Sequence, residues 1–193
     1  MRQIVIAECV IMALFCGSCF ANDQLEGNAL KLASALNIST NATMHVASKP
    51  LFAEKENVQA GEFQMKLKNM AEAKSGQPMR VDVVGTNKLV VASGRVFERS
   101  SFEMARLSLL ESLVQNSRPI PLIARELEVK NGDVGELCVV EKTFDKAVGE
   151  YTSELQAIHF VRGSTAISLY PAKNYKDIWK TAKAIDAALL LAQ

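Results

Sequence analysis

The sequence predicts an α+β fold, an antiparallel sheet of about five to six strands packed against helices as an α/β/α sandwich. Two observations carry that prediction. Runs of branched residues come in pairs joined by short glycine-containing turns, which is hairpin spacing. Amphipathic patterns of helical period precede and follow these pairs without alternating with single strands, so a doubly wound nucleotide-binding fold is excluded.

The 193 residues divide into three parts. Residues 1–21 read as a secretory signal peptide: Arg2 supplies the basic start, Cys9 to Cys16 a short apolar run, and Gly17-Ser18-Cys19-Phe20-Ala21 a small-residue end with cleavage before Asn22. The alternatives are a lipid anchor on Cys19 after Gly17-Ser18, with Cys16 where lipoproteins usually carry Leu, and an uncleaved anchor. Residues 22–60 read as an N-terminal helix, Asp23 to Leu36, followed by an irregular segment, and residues 61–193 as a single α+β domain. The expected localisation is periplasmic or secreted, or alternatively membrane-tethered by lipid.

Within the domain, Phe63, Leu67, Met70 and Ala71 recur at helical spacing and predict a helix over 61–74. Met79 to Val84 and Lys88 to Ala92 flank Gly85-Thr86-Asn87 as a hairpin, with Gly94 read as a bulge in its second strand. Ser100 and Glu103 read as a capping box for a helix over 101–115, which Pro119 and Pro121 forbid from continuing. Leu122 to Val129 and Gly135 to Glu141 predict a second strand pair, with a polar loop from Lys142 to Ser153 after it. Leu155 to Val161 and Thr165 to Tyr170 predict a third hairpin around Arg162-Gly163-Ser164. A last helix, capped by Asn174, carries the stripe Tyr175, Ile178, Ala182, Ile185 and Leu189.

Composition excludes several functions. With 22 basic and 21 acidic side chains the net charge is +1, so no overall field attracts nucleic acid, and none is expected as a partner. Three of the four cysteines fall in residues 1–21, which leaves Cys138 as a small buried hydrophobe in Leu137-Cys138-Val139-Val140 and leaves the domain no internal disulfide. Two histidines and one remaining cysteine are too few donors for a transition-metal centre, so neither a metal nor another cofactor is expected.

Catalytic patterns are equally sparse. No Gly-x-Ser-x-Gly elbow or phosphate-binding glycine loop occurs, and no catalytic residue is assigned. His45 reads as a solvated surface residue, and His159 as a strand residue on a partly covered face, with Cys138 and His159 no more than a pair of residue types on neighbouring predicted strands. Candidate binding residues are Lys142, Asp145, Lys146 and Glu150 in the polar loop, His159, and Trp179 on the last helix. The loop is otherwise a solvated face with a calcium or glycan site as its alternative, and Trp179 is otherwise a packing residue.

The stretches Val134-Gly135-Glu136-Leu137, Ile158 to Leu169 and Ala182 to Asp186 resemble the C-terminal half of PsbP-like exported proteins, including small bacterial lipoproteins. In that pattern a Val-Gly-Asp turn precedes strands, an Arg-Gly-Asn hairpin and a final helix; here Glu136 and Ser164 replace the Asp and the Asn. The resemblance spans about a third of the chain and rests on turn and core residues, so it implies an antiparallel α/β/α sandwich and no catalytic group. The expected function is a non-enzymatic binding or accessory protein that engages another envelope or secreted protein. The alternatives are a hydrolase using His159 or loop carboxylates, and a small-ligand carrier with a pocket between sheet and helices.

Overall fold

The structure is a computed structural model that describes residues 33–34, 51–52, 55–73, 76–115, 125–130, 132–145, 150–151 and 155–192. The signal segment, most of the helix expected over 23–36, His45, the prolines at 119 and 121, and Lys146 lie outside the described residues.

One antiparallel sheet organises the chain. Its eight-strand path uses β1 (Asn57–Ala60), β2 (Phe63–Lys68), β3 (Met79–Val84), β4 (Val90–Glu98), β5 (Arg125–Lys130), β6 (Leu137–Asp145), β8 (Ala157–Arg162) and β9 (Thr165–Pro171). The spatial order is β1-β2-β3-β4-β9-β8-β6-β5, and the two-residue β7 (Glu150–Tyr151) pairs with β6 off this path. Two meanders therefore meet at the β4–β9 seam, where Ala92 to Glu98 run opposite Pro171 to Thr165. Among the described residues, the helices are the short α1 (Met70–Ala73), α2 (Phe102–Gln115) on one face of the sheet and α3 (Ile178–Ala192) on the other.

More strands form than the five to six predicted, and the excess arises at the N-terminal side. Residues 63–68 are the strand β2 and not a helix, because the Phe63, Met65 and Leu67 side chains alternate into the core while Lys66 and Lys68 stay exposed. That period-2 reading competes in the sequence with Phe63, Leu67, Met70 and Ala71 at helical spacing, and pairing of Lys68↔Arg80 through Gln64↔Val84 decides it. Only Met70–Ala73 is helical, after Asn69 turns the chain with φ 60°. β1, in the stretch read as irregular, exists because Ala60↔Phe63 closes a tight hairpin through Gly61, at φ 57°.

Smaller corrections follow from local chemistry. The register shift in the β3–β4 hairpin lies at Val83/Val84, whereas Gly94 sits in unbroken register opposite Leu169. Gly94 is required there by space: a Cβ would stand 1.9 Å from the Ser168 carbonyl oxygen. The cap of α2 is Ser101, whose hydroxyl accepts the Met104 N–H at 3.3 Å, one residue beyond the Ser100 expected. β6 runs on through Asp145, so the first part of the predicted polar loop is strand. Asn174 is a turn residue at φ 70°, and α3 starts only at Ile178. Tyr175 therefore leaves the helical stripe, and its hydroxyl bonds Thr181 at 2.8 Å from the preceding turn.

The larger core lies between the sheet and α3. Ile178, Ala182, Ile185 and Leu189 pack against Phe63, Met65, Val81, Val96, Phe160, Ile167 and Leu169. α3 contacts β8 and β9 and also the edge strand β1. β1 lies four strand spacings from β9, so α3 reaches across half of the sheet and not over a single strand pair. Arg162 of β8 fixes the helix by a two-pronged bond to Asp186, 2.7 Å from Nε and 2.6 Å from Nη2.

Candidate functional site

The α2 face is built differently. Its apolar cluster is small, with Phe97, Val139, Val161 and Ala166 of the sheet meeting Ala105, Leu109 and Leu113 of α2. Serines fill the rest of the inward stripe: Ser108 and Ser112 are completely buried. Ser108 receives the Arg99 Nε–H at 2.6 Å, and Arg99 also donates to the Gly76 carbonyl at 2.9 Å while its guanidinium lies 5.3 Å from the Phe97 ring centre.

Ser112 opens a chain of buried polar groups. Its hydroxyl is 2.9 Å from Ser168 Oγ of β9, Ser168 Oγ is 2.9 Å from His159 Nδ1 of β8, and His159 Nε2 is 3.4 Å from Glu141 Oε2 of β6. Strand alternation sends these side chains to one face, because His159 lies between Ile158 and Phe160, which point to the α3 core. Register then brings them together, since His159 pairs directly with Ser168 across β8–β9 and with Val139 across β6–β8. The Tyr170 ring meets the imidazole edge-on, with centroids 5.8 Å apart and planes at 81°.

A hydroxyl, an imidazole and a carboxylate in series are the groups that activate a serine nucleophile. Access is what this set lacks. Ser168 is 1% exposed, His159 0% and Glu141 5%, and Ser112 of α2 stands directly on the serine. A nucleophile must meet an acyl carbon, and with α2 in place no such carbon reaches Ser168. Hydrogen bonding along the chain instead ties α2 to three sheet strands, each buried polar atom meeting a partner.

Of the residues expected from the sequence, His159, Lys142 and Trp179 lie on three different elements, β8, β6 and α3. His159 is completely buried, not partly covered, because α2 lies on its face of the sheet. Cys138 points into the α3-side core while His159 points to the α2 side, so the sheet separates the two groups of the imagined dyad. Burial, with the carboxylates Asp186 and Asp133 adding to it, pushes the Cys138 thiol up to about 12. Lys142 is half-buried on β6 and pairs with Glu128 at 3.7 Å. Asp145 ends β6 and Glu150 begins β7, paired backbone to backbone. Trp179 is half-buried against the α3-side core.

Among the described residues, no group of three or more His, Cys, Asp or Glu side chains is placed to hold a metal ion, and no helix is long and apolar enough to cross a membrane. Fold and site together define an α+β protein with one antiparallel sheet between two helices and a sealed serine–histidine–glutamate set beneath one of them. No family model matches the chain, and no curated protein or solved structure matches it either.

Proposed function

We propose that the chain is an exported, non-enzymatic binding or accessory protein that engages another envelope or secreted protein. One observation carries the reading: the β3–β4 hairpin presents Leu89 and Val90 side by side, 64% and 47% exposed. Turns are ordinarily occupied by polar residues and glycine, as Gly85, Asn87 and Lys88 are here, and an apolar pair at the tip adds nothing to either core. The Asn87 side chain holds the tip in shape by accepting the Leu89 N–H at 3.0 Å. The signal-like residues 1–21 and the PsbP-like C-terminal pattern support export and a non-enzymatic role.

Cross-linking of the tagged protein in its native envelope tests this, with Leu89→Asp and Val90→Asp run beside the wild type. Both variants are expected to keep stability within about 0.5 kcal/mol, as surface substitutions do, and to lose the cross-linked partner. Equal recovery of the same partner by all three proteins, or recovery of none by the wild type, contradicts the proposal.

The Ser168–His159–Glu141 series favours a second reading, a hydrolase that acts only when α2 lifts from the sheet. It requires Ser168 to become accessible and His159 to take its proton. Burial of all three groups weighs against it.

A further inference from the structure

β4 ends on a carboxylate that the fold buries. Glu98 is 4% exposed and shares the α3 side of β4 with Val96, two residues earlier. Its Oε1 accepts the Phe52 N–H at 2.9 Å, while its Oε2 is completely covered and has no hydrogen-bond partner among the described residues. Phe52 is 2% exposed, with its ring in the α3-side core, and its carbonyl accepts the Lys55 N–H at 2.9 Å. A single carboxylate thus fastens a short stretch of chain whose phenyl ring completes the core.

We propose that Glu98 and the Leu51–Phe52 stretch form a proton-controlled strap, in which protonated Glu98 holds Phe52 in the core and ionised Glu98 favours its release. Burying a carboxylate oxygen with no donor carries a free-energy cost that protonation removes. Release lets water reach that oxygen. The surrounding charges do not cancel this cost. Lys55, on the strap side, attracts the carboxylate; Arg99, the next residue, is committed to Ser108 and the Gly76 carbonyl; Arg162 of β8 is committed to Asp186 of α3. Burial raises the Glu98 carboxyl above its ordinary 4.5, outweighing the Phe52 and Leu51 N–H groups and Lys55, all of which lower it.

A carboxyl raised in the docked state keeps a proton that the released state gives up. Docking is therefore strongest below the ordinary value of 4.5 and weakens as pH rises through the raised value.

Amide hydrogen exchange on the full chain at about pH 5 and about pH 8, corrected for intrinsic rates, tests the strap. The Phe52 amide is expected to lose protection severalfold at the higher pH relative to the Ile185 and Leu189 amides of α3. Glu98→Gln keeps the acceptor and removes the charge, so it is expected to fold and to hold Phe52 equally well at both values. Phe52 protection that tracks α3 at both pH values overturns the proposal, as does a pH dependence that survives Glu98→Gln. A Glu98 carboxyl carbon resonance in the wild type that titrates at or below 4.5 overturns it independently of any variant.

Discussion

Ser168 shows how much one hydroxyl can organise. It lies directly across the strand pair from His159 and beneath Ser112 of α2, with both contacts at 2.9 Å. Replacing Ser168 by Ala withdraws the group that His159 Nδ1 and Ser112 Oγ both meet in a buried interface. The expected loss is about 1–3 kcal/mol, the range for breaking a buried polar network from one side. Urea unfolding checks it, with a lower midpoint at unchanged slope. Ser112→Ala combined with Ser168→Ala is expected to cost less than the two single changes added together, because they remove the same contact. The pairing of His159 with Ser168 was missed by one residue. A three-residue turn at Arg162-Gly163-Ser164, as expected, sets Val161 against Thr165 and His159 against Ile167, whereas the observed two-residue turn sets Arg162 against Thr165 and so His159 against Ser168. Glu141 and Ser112 were not within reach, since they arrive from β6 and α2 through pairings that no local turn specifies.

At the scale of elements, the β4–β9 seam carries the architecture because it alone joins the two meanders. Gly94 lies in the middle of it, where any side chain would collide with the Ser168 carbonyl at 1.9 Å. The obstacle is backbone that belongs to the partner strand, so it cannot turn aside as a flexible side chain could. Gly94→Ala is expected to destabilise by about 1–3 kcal/mol as an overpacking change, and a lowered thermal or urea midpoint is the measurement. Strands with a hairpin turn of their own, such as β3–β4 and β8–β9, were legible from turn residues and branched composition. β1 and β2 were not: residues 57–60 show no sustained period and become a strand by pairing with β2, while residues 63–68 satisfy helical and strand periods together and pairing with β3 selects the strand. The two helices that sandwich the sheet were legible, their stripes at 105/109/113 and 178/182/185/189 being among the buried residues. Their ends were less so: α3 begins after the Asn174 turn, three residues beyond the expected stripe's first member.

Over the whole molecule, the two faces of the sheet do different work. The α3 face is apolar apart from the buried Glu98, and α3 is pinned to it by Arg162 and Asp186. The α2 face spends buried area on serines, an arginine, a histidine and a glutamate, which gives direction to the packing of a helix that has few apolar contacts of its own. Scarcity of histidine and cysteine in the sequence pointed away from a metal centre, but composition carries no information on whether a serine, a histidine and a carboxylate will meet. Their meeting makes accessibility the deciding property, and accessibility belongs to the folded molecule alone.

The serine–histidine–glutamate set is sealed and fastens α2, and a fluorophosphonate probe of serine nucleophiles tests this. Incubation of the native full chain followed by peptide mass analysis is expected to find Ser168 unmodified. A covalent adduct on Ser168 that disappears in His159→Ala would contradict the claim and turn the α2 face into a reaction centre.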